Sequence, residues 1–255
     1  MDVFELLHQR ASIRRFEERG VPEEIIEKIL GAGQRAPYTG QQCSVIVTTD
    51  PEKRKQVGEW LGYLPRSAPL YLLFCVDFRR LGKIVARYGR ELRFANIALL
   101  WWGIQDVCYF AENVVLAGEA HGLGSCFMGG TPWRSDELCA LFEIPQWVFP
   151  VVGLVMGYPA EHPAPRARLP LHSVIHRDRY RDLTEPELTE AIEIMNLDIL
   201  REGYYQKYTT DFRHKPGEPE LSDEEYTYGE HTSRKFGTDF GQDLRDRLAR
   251  QGIAL

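Results

Sequence analysis

Three short segments carry residue types whose spacing suits an anion and a flat ligand. In Arg10-Ala11-Ser12-Ile13-Arg14, alternate positions hold two guanidiniums and a hydroxyl. In extended backbone those three side chains point one way while Ile13 turns into the protein. Such a set can hold a phosphate and keep one more positive charge beside it. Arg166-Ala167-Arg168-Leu169-Pro170 repeats the alternation, and an Arg pair of this kind can grip a phosphate bidentately. Between them, Gly129-Gly130 follows the apolar stretch Ser125-Cys126-Phe127-Met128. Glycines at the mouth of a buried strand let a flat ligand approach and offer it amide donors. Taken singly, each segment also reads as a solvated basic loop or an ordinary turn.

Other chemistries lack their residues. There is no G-x-G-x-x-G, no G-x-x-x-x-G-K-[ST] and no G-x-S-x-G, so neither a dinucleotide fold, a P-loop nor a nucleophile elbow is signalled. His172 and His176 are four apart but lack the acid of H-E-x-x-H, and Ser173-Val174-Ile175 between them favours extended structure. No metal site is expected. The five cysteines form no C-x-x-C pair, and a reducing, cytoplasmic setting fits them. A net charge of −6 and a pI near 5.7 argue against a nucleic-acid binder. The longest uncharged stretch, residues 144–160, contains three prolines and is not a membrane span. The N-terminus has no basic flank and no apolar run, so no signal peptide is expected.

The elements that must position these segments follow from apolar patterning. Residues 1–9 read as a short amphipathic helix. Pro22 opens a second helix as an N1 proline, with Glu23 and Glu24 in its first turn. A loop at Pro37-Tyr38-Thr39-Gly40 follows. Strands are expected at 45–49, 69–77, 125–128 and 148–158. Residues 91–120 read as a central helix, roughly 40 Å long and apolar on most of its circumference. Gly122 or Gly124 supplies its left-handed cap. Ser135 caps a short helix ending near Phe142, the stretch after Pro170 is extended, and 185–208 is a last substantial helix. The order of elements is mixed α+β. The tail beyond Thr209 is polar yet holds several aromatics, with a terminal helix around 243–251.

In sequence order the Arg-x-Ser-x-Arg segment, Ala36-Pro37-Tyr38-Thr39-Gly40-Gln41, Gly122-Leu123-Gly124-Ser125-Cys126-Phe127-Met128-Gly129-Gly130 and Arg-x-Arg-Leu-Pro resemble the FMN-dependent nitroreductase/flavin reductase family. The resemblance covers roughly residues 1–208 and is closest to the oxygen-insensitive NADPH nitroreductases. It implies an α+β fold, with a central, mostly antiparallel sheet wrapped by helices, in an intertwined homodimer with FMN at the interface. Carried over by position, Arg10 and Ser12 would hold the FMN phosphate with Arg166 and Arg168. Arg14 would stand beside the pyrimidine edge of the flavin, where a positive charge stabilises the reduced ring. Pro37, Tyr38, Thr39 and Gln41 would line the ring and ribityl chain from the partner subunit. The amides of Gly129 and Gly130 would face flavin N5.

The implied reaction passes hydride from NADPH or NADH through flavin N5 to a small acceptor, a nitroaromatic, a quinone or free flavin, in a ping-pong cycle without a catalytic side chain. Flavin-dependent dehalogenation, flavin cleavage, or non-catalytic flavin binding are the alternatives on the same scaffold. The loop is a residue short of the family pattern, so its polar ligand is Gln41 or the adjacent Gln42. Tyr204-Tyr205 are followed by Gln206 rather than an Arg, which leaves the nicotinamide preference open. Residues 1–208 are then the flavin-binding domain. Residues 209–255, longer than that branch carries, form an extension packing on the partner subunit.

Overall fold

The computed structural model describes residues 2–93, 96–208, 217–237 and 241–254. The chain divides into two compact units: Met1–Pro165 with Asp243–Leu255, and Arg166–Gln242. The chain passes between the units after Pro165 and after Gln242, not at 208/209, and the last residues of the extension belong to the first unit.

In the first unit, β1 (Cys43–Thr48), β2 (Leu70–Asp77), β3 (Gly124–Met128) and β4 (Val148–Gly157) form one sheet in the order β1-β2-β4-β3, every pair antiparallel. Helices α1 (Val3–Gln9), α2 (Glu23–Gly33), α3 (Pro51–Leu61), α4 (Leu64–Ser67), α5 (Phe78–Arg87), α6 (Ile97–Ala120) and α7 (Ser135–Leu141) surround it. The second unit holds α8 (Leu171–Val174), α9 (Glu185–Glu202), α10 (Tyr204–Tyr208) and α11 (Tyr228–Phe236); α12 (Leu244–Arg250) returns to the first.

β2 is an unbroken apolar run because both of its faces are covered. Its alternate residues divide between two cores. Leu70, Leu72, Phe74 and Val76 pack with Ile26, Ile29, Val107 and Val114 from α2 and α6. Tyr71, Leu73 and Cys75 pack with Val57, Cys126 and Leu138 on the other side. The terminal segment closes the first core, where Leu248 and Ile253 sit beside Phe149. Trp147 N donates to Gln251 O at 2.9 Å, and Arg247 and Arg250 pair with Asp136 at 3.1 and 2.8 Å.

Several local expectations change. Pro22 is the N-cap of α2 in extended backbone, not its first helical residue. α6 starts only at Ile97, where the Asn96 side chain accepts from Ala98 N and Leu99 N. Its 24 residues span about 36 Å. Gly122, with φ +77, takes the left-handed position, while Gly124 is in β3. Ser135 is inside α7, because a 3-10 turn at Thr131–Arg134 runs straight into the helix. Residues Leu171–Val174 are helical, not extended, with Ser173 N bonded to Pro170 O. The helix over 185–208 breaks at Gly203, which is left-handed and takes two capping bonds from its amide.

Ile253 is fully buried. Ile253→Ala should cost about 2–4 kcal/mol and lower Tm by roughly 5–15 °C in a thermal melt. An unchanged Tm would contradict the packing of this segment into the core.

Candidate functional site

The first basic segment is an added edge on β3. Ser12 forms a parallel bridge with Ser125, and Ile13 N donates to Ser125 O at 2.8 Å. Ile13 is buried against Gly124, in the space a side chain there would need. Ser12 and Arg14, on the alternate face, stay half-buried. The Glu161 carboxylate pins the segment by accepting from Arg14 N at 2.6 Å and Arg15 N at 3.1 Å. Arg14 Nη1 also donates to Ser12 O at 3.3 Å.

Arg10 caps α1 and lines a cavity of about 390 Å3 with Gln9, Glu119 and His162. Burial pushes the Glu119 carboxyl up to about 7; Arg10 opposes the shift and Glu112 adds to it.

Gly129 and Gly130 are exposed just beyond β3. A Cβ on Gly129 would meet open space, and one on Gly130 only Leu61 at 3.7 Å. Packing does not demand glycine at either position. Among the described residues neither amide N–H finds an acceptor. The pair is an open platform with two unclaimed donors.

The Pro37–Gln41 loop is far from these. It precedes β1, on the opposite edge of the sheet from β3. The buried Asp106 carboxylate of α6 accepts from Thr39 N at 2.6 Å, Gly40 N at 3.2 Å and Gln42 N at 2.9 Å. Pro37, Tyr38 and Gln41 line a cavity of about 480 Å3 with Arg80, Asp106 and Phe110. Gln41 is exposed, whereas Gln42 is buried with its Oε1 unpartnered beside Gly103. Of the two glutamines, Gln41 lines the cavity. Asp106 and Glu119 are thirteen positions apart on α6, about 20 Å along its axis. The two cavities, one beside the Pro37–Gln41 loop and one beside Arg10, therefore lie toward opposite ends of α6.

In the second unit, Arg166 Nε donates to the buried Asp198 Oδ2 at 2.7 Å, and its guanidinium stacks on Tyr204 at 3.8 Å. The ion pair and the stack fix the fork while its terminal nitrogens take no acceptor among the described residues. Arg168 is exposed and donates to the carbonyls of Arg166 and Ala167. His172 lies 3.8 Å from Glu190, whereas the His176 ring packs on Tyr180.

All five thiols are free, and burial raises each pKa: Cys43 and Cys139 to about 12, with Cys75, Cys108 and Cys126 also raised. They remain protonated and weakly nucleophilic at neutral pH. Asp106, Glu161 and Asp198 are the residues that sequence reasoning missed. Asp106 stands in the sequence as one acid within a largely apolar helix.

A four-stranded antiparallel sheet flanked by a long central helix is a mixed α+β scaffold. The family model described as "Nitroreductase family" matches residues 7–158, and this chain belongs to that family. It is 35% identical over 199 residues to a protein named FMN reductase [NAD(P)H] from Bacillus subtilis, covering 75% of this chain and 79% of that one. It is 34% identical over 194 residues to a CR(VI) reductase from a Pseudomonas species, covering 74% and 79%. Among solved structures, NfrA2 of B. megaterium superposes with a TM-score of 0.87 at 26% identity, covering 100% of this chain and 99% of that one. That match takes in the residues beyond 209, so the tail does not exceed the length of these relatives.

The raised Glu119 pKa has a stability consequence. The folded chain holds this proton more tightly than the unfolded chain, whose carboxyl sits near 4.5. The stabilisation is complete below pH 4.5 and is lost as pH rises to 7. Because Glu119 is only half-buried, screening trims the effect to about 1 kcal/mol. Glu119→Gln should thus match the parent in Tm at pH 5 and exceed it by roughly 2–4 °C at pH 8. Equal Tm at both pH values would contradict the environment assigned to Glu119.

Proposed function

We propose that this chain is an NAD(P)H-dependent FMN oxidoreductase that reduces small acceptors such as quinones, nitroaromatics or free flavin, and that it works as a homodimer. The observation that carries the reading is the Gly129-Gly130 platform, an exposed strand end with open space above it and two amide donors unused by the fold. The donor set fits the cofactor. Arg10 and Ser12 with Arg166 and Arg168 would hold the phosphate, a dianion suited to guanidinium and hydroxyl donors. Arg166 is preorganised for this by Asp198, which takes Nε and leaves the terminal nitrogens. Arg14 would keep a fixed positive charge beside the ring. Bound FMN would supply the two-electron exchange between nicotinamide and acceptor.

The protein's part is binding, orientation and electrostatics. No thiol is poised as a nucleophile, since burial keeps each one protonated. The relatives named FMN reductase [NAD(P)H] and, from Vibrio harveyi, NADPH-flavin oxidoreductase support the same chemistry. Five reduced cysteines fit a reducing compartment such as the cytoplasm. Among the described residues, no helix is long and apolar enough to cross a membrane.

The case for a dimer is geometric. The Arg10–Arg14 segment with Gly129-Gly130 lies at one edge of the sheet, and the Pro37–Gln41 loop lies at the other, held near the opposite end of α6. Ile97, Trp101, Trp102 and Tyr109 leave an exposed apolar stripe on α6, the kind of patch that marks an interface. A two-fold partner packed along α6 would bring the loop of one chain to the platform of the other.

Complementation tests this arrangement. A chain carrying Arg10→Ala and Arg14→Ala, and a chain carrying Thr39→Trp, should each fail in NADPH-driven quinone reduction. Refolded together they should recover about a quarter of parent turnover, because half the dimers then hold one intact site. No recovery, from mixtures that do dimerise and bind FMN, would overturn the shared site.

A further inference from the structure

The Pro37–Cys43 loop is held in an unusual way. Gln41 has φ +48, a left-handed conformation that a glutamine rarely adopts. Its neighbours are fixed from two sides. Asp106 takes the amides of Thr39, Gly40 and Gln42. Arg80 Nη2 donates to Gln41 O at 2.5 Å and Cys43 O at 2.8 Å. Arg80 is itself set by Asp77, whose Oδ2 accepts from Arg80 Nη1 at 3.0 Å and from Ser44 Oγ at 2.6 Å. Asp77 N closes the ring by donating to Gln42 O at 2.7 Å. Backbone donors meet a carboxylate, and backbone acceptors meet a guanidinium or an amide.

We propose that Asp106 and Arg80 are positioning residues that hold Gln41 in its left-handed conformation, so that its side-chain amide is presented to a flavin in the adjoining cavity. Backbone strain of this kind persists only where the surroundings over-determine it, and six hydrogen bonds to residues 39–43 do so here. Neither clamping group is available to the ligand through the bonds it spends on the loop; Gln41 is exposed to the cavity. The inference rests on the proposal that this loop contacts the flavin of a partner chain.

If the clamp serves the left-handed backbone, relief of strain at position 41 should compensate for its loss. Asp106→Asn puts an amide N–H2 or a single carbonyl where three N–H donors converge, and should weaken FMN binding at least 10-fold by fluorescence titration. Asp106→Asn combined with Gln41→Asn should regain affinity to within about 3-fold of the parent, since asparagine adopts the left-handed region more readily and keeps the amide. A double variant as weak as Asp106→Asn alone, or an Asp106→Asn protein with parent affinity, would overturn the proposal.

Arg80→Gln removes the other jaw at a half-exposed site and should show the same loss and the same rescue by Gln41→Asn. It keeps the test open if Asp106→Asn does not fold. Hydrogen exchange without added FMN separates this inference from the functional reading. The amides of Thr39, Gly40 and Gln42 should be protected in the parent and exchange at least 10-fold faster in Asp106→Asn. That acceleration in Asp106→Asn, found with a parent chain that binds no FMN, would sink the flavin reading and leave the clamp standing; unchanged exchange would sink the clamp.

Discussion

The close approach of α6 to the sheet is the constraint on which the rest of the first unit depends. A Cβ on Gly103 would stand 2.8 Å from Val76 Cγ1, and one on Gly118 would collide with the Met156 side chain. Glycine at both positions lets the helix lie flat across β2 and β4, burying Val107, Ala111, Val114 and Val115 against them. Once the helix is pinned at two points about 22 Å apart, its two key carboxylates have defined positions. Asp106 reaches the loop before β1, and Glu119 reaches the cavity beside Arg10. A lone buried carboxylate would be costly; three converging amides make Asp106 the loop's organiser.

Much of this was legible in the residues. The apolar runs of β2 and β4 and the alternation in Arg10–Arg14 carry their own periodicity, and Ile13 does turn inward. The order of the motifs points to the family from the residues alone. Other parts were not legible, for physical reasons. Five of the eleven residues of α3 are charged and it buries only Val57 and Gly58, so its apolar signal is thin. α8 buries nothing and depends on a single turn after Pro170. The Asp106 clamp joins a side chain to backbone amides more than sixty residues away, and backbone groups have no letter in a sequence. That Gln41 is exposed and Gln42 buried turns on a single residue of register, which two identical letters in a row cannot signal.

No thiol of the chain is poised as a nucleophile, because burial raises the pKa of all five. In an enzyme of this family the cofactor carries the chemistry, and the protein's part is binding and orientation. Arg166 and its buried Asp198 show such orientation: the ion pair takes Nε and leaves the two terminal nitrogens without an acceptor among the described residues. Asp106 and Arg80 do the same for the loop by trading their own hydrogen bonds for the posture of Gln41.

The central claim, that the chain carries reducing equivalents from a nicotinamide through FMN to a small acceptor, is tested most directly by an anaerobic visible-absorption titration of the FMN-loaded protein with NADPH and then NADH. The account predicts a bound-flavin band that bleaches with at least one of them and returns when a quinone or nitroaromatic is added. A band that stays oxidised with both, or a protein that takes up no flavin at all, would contradict it.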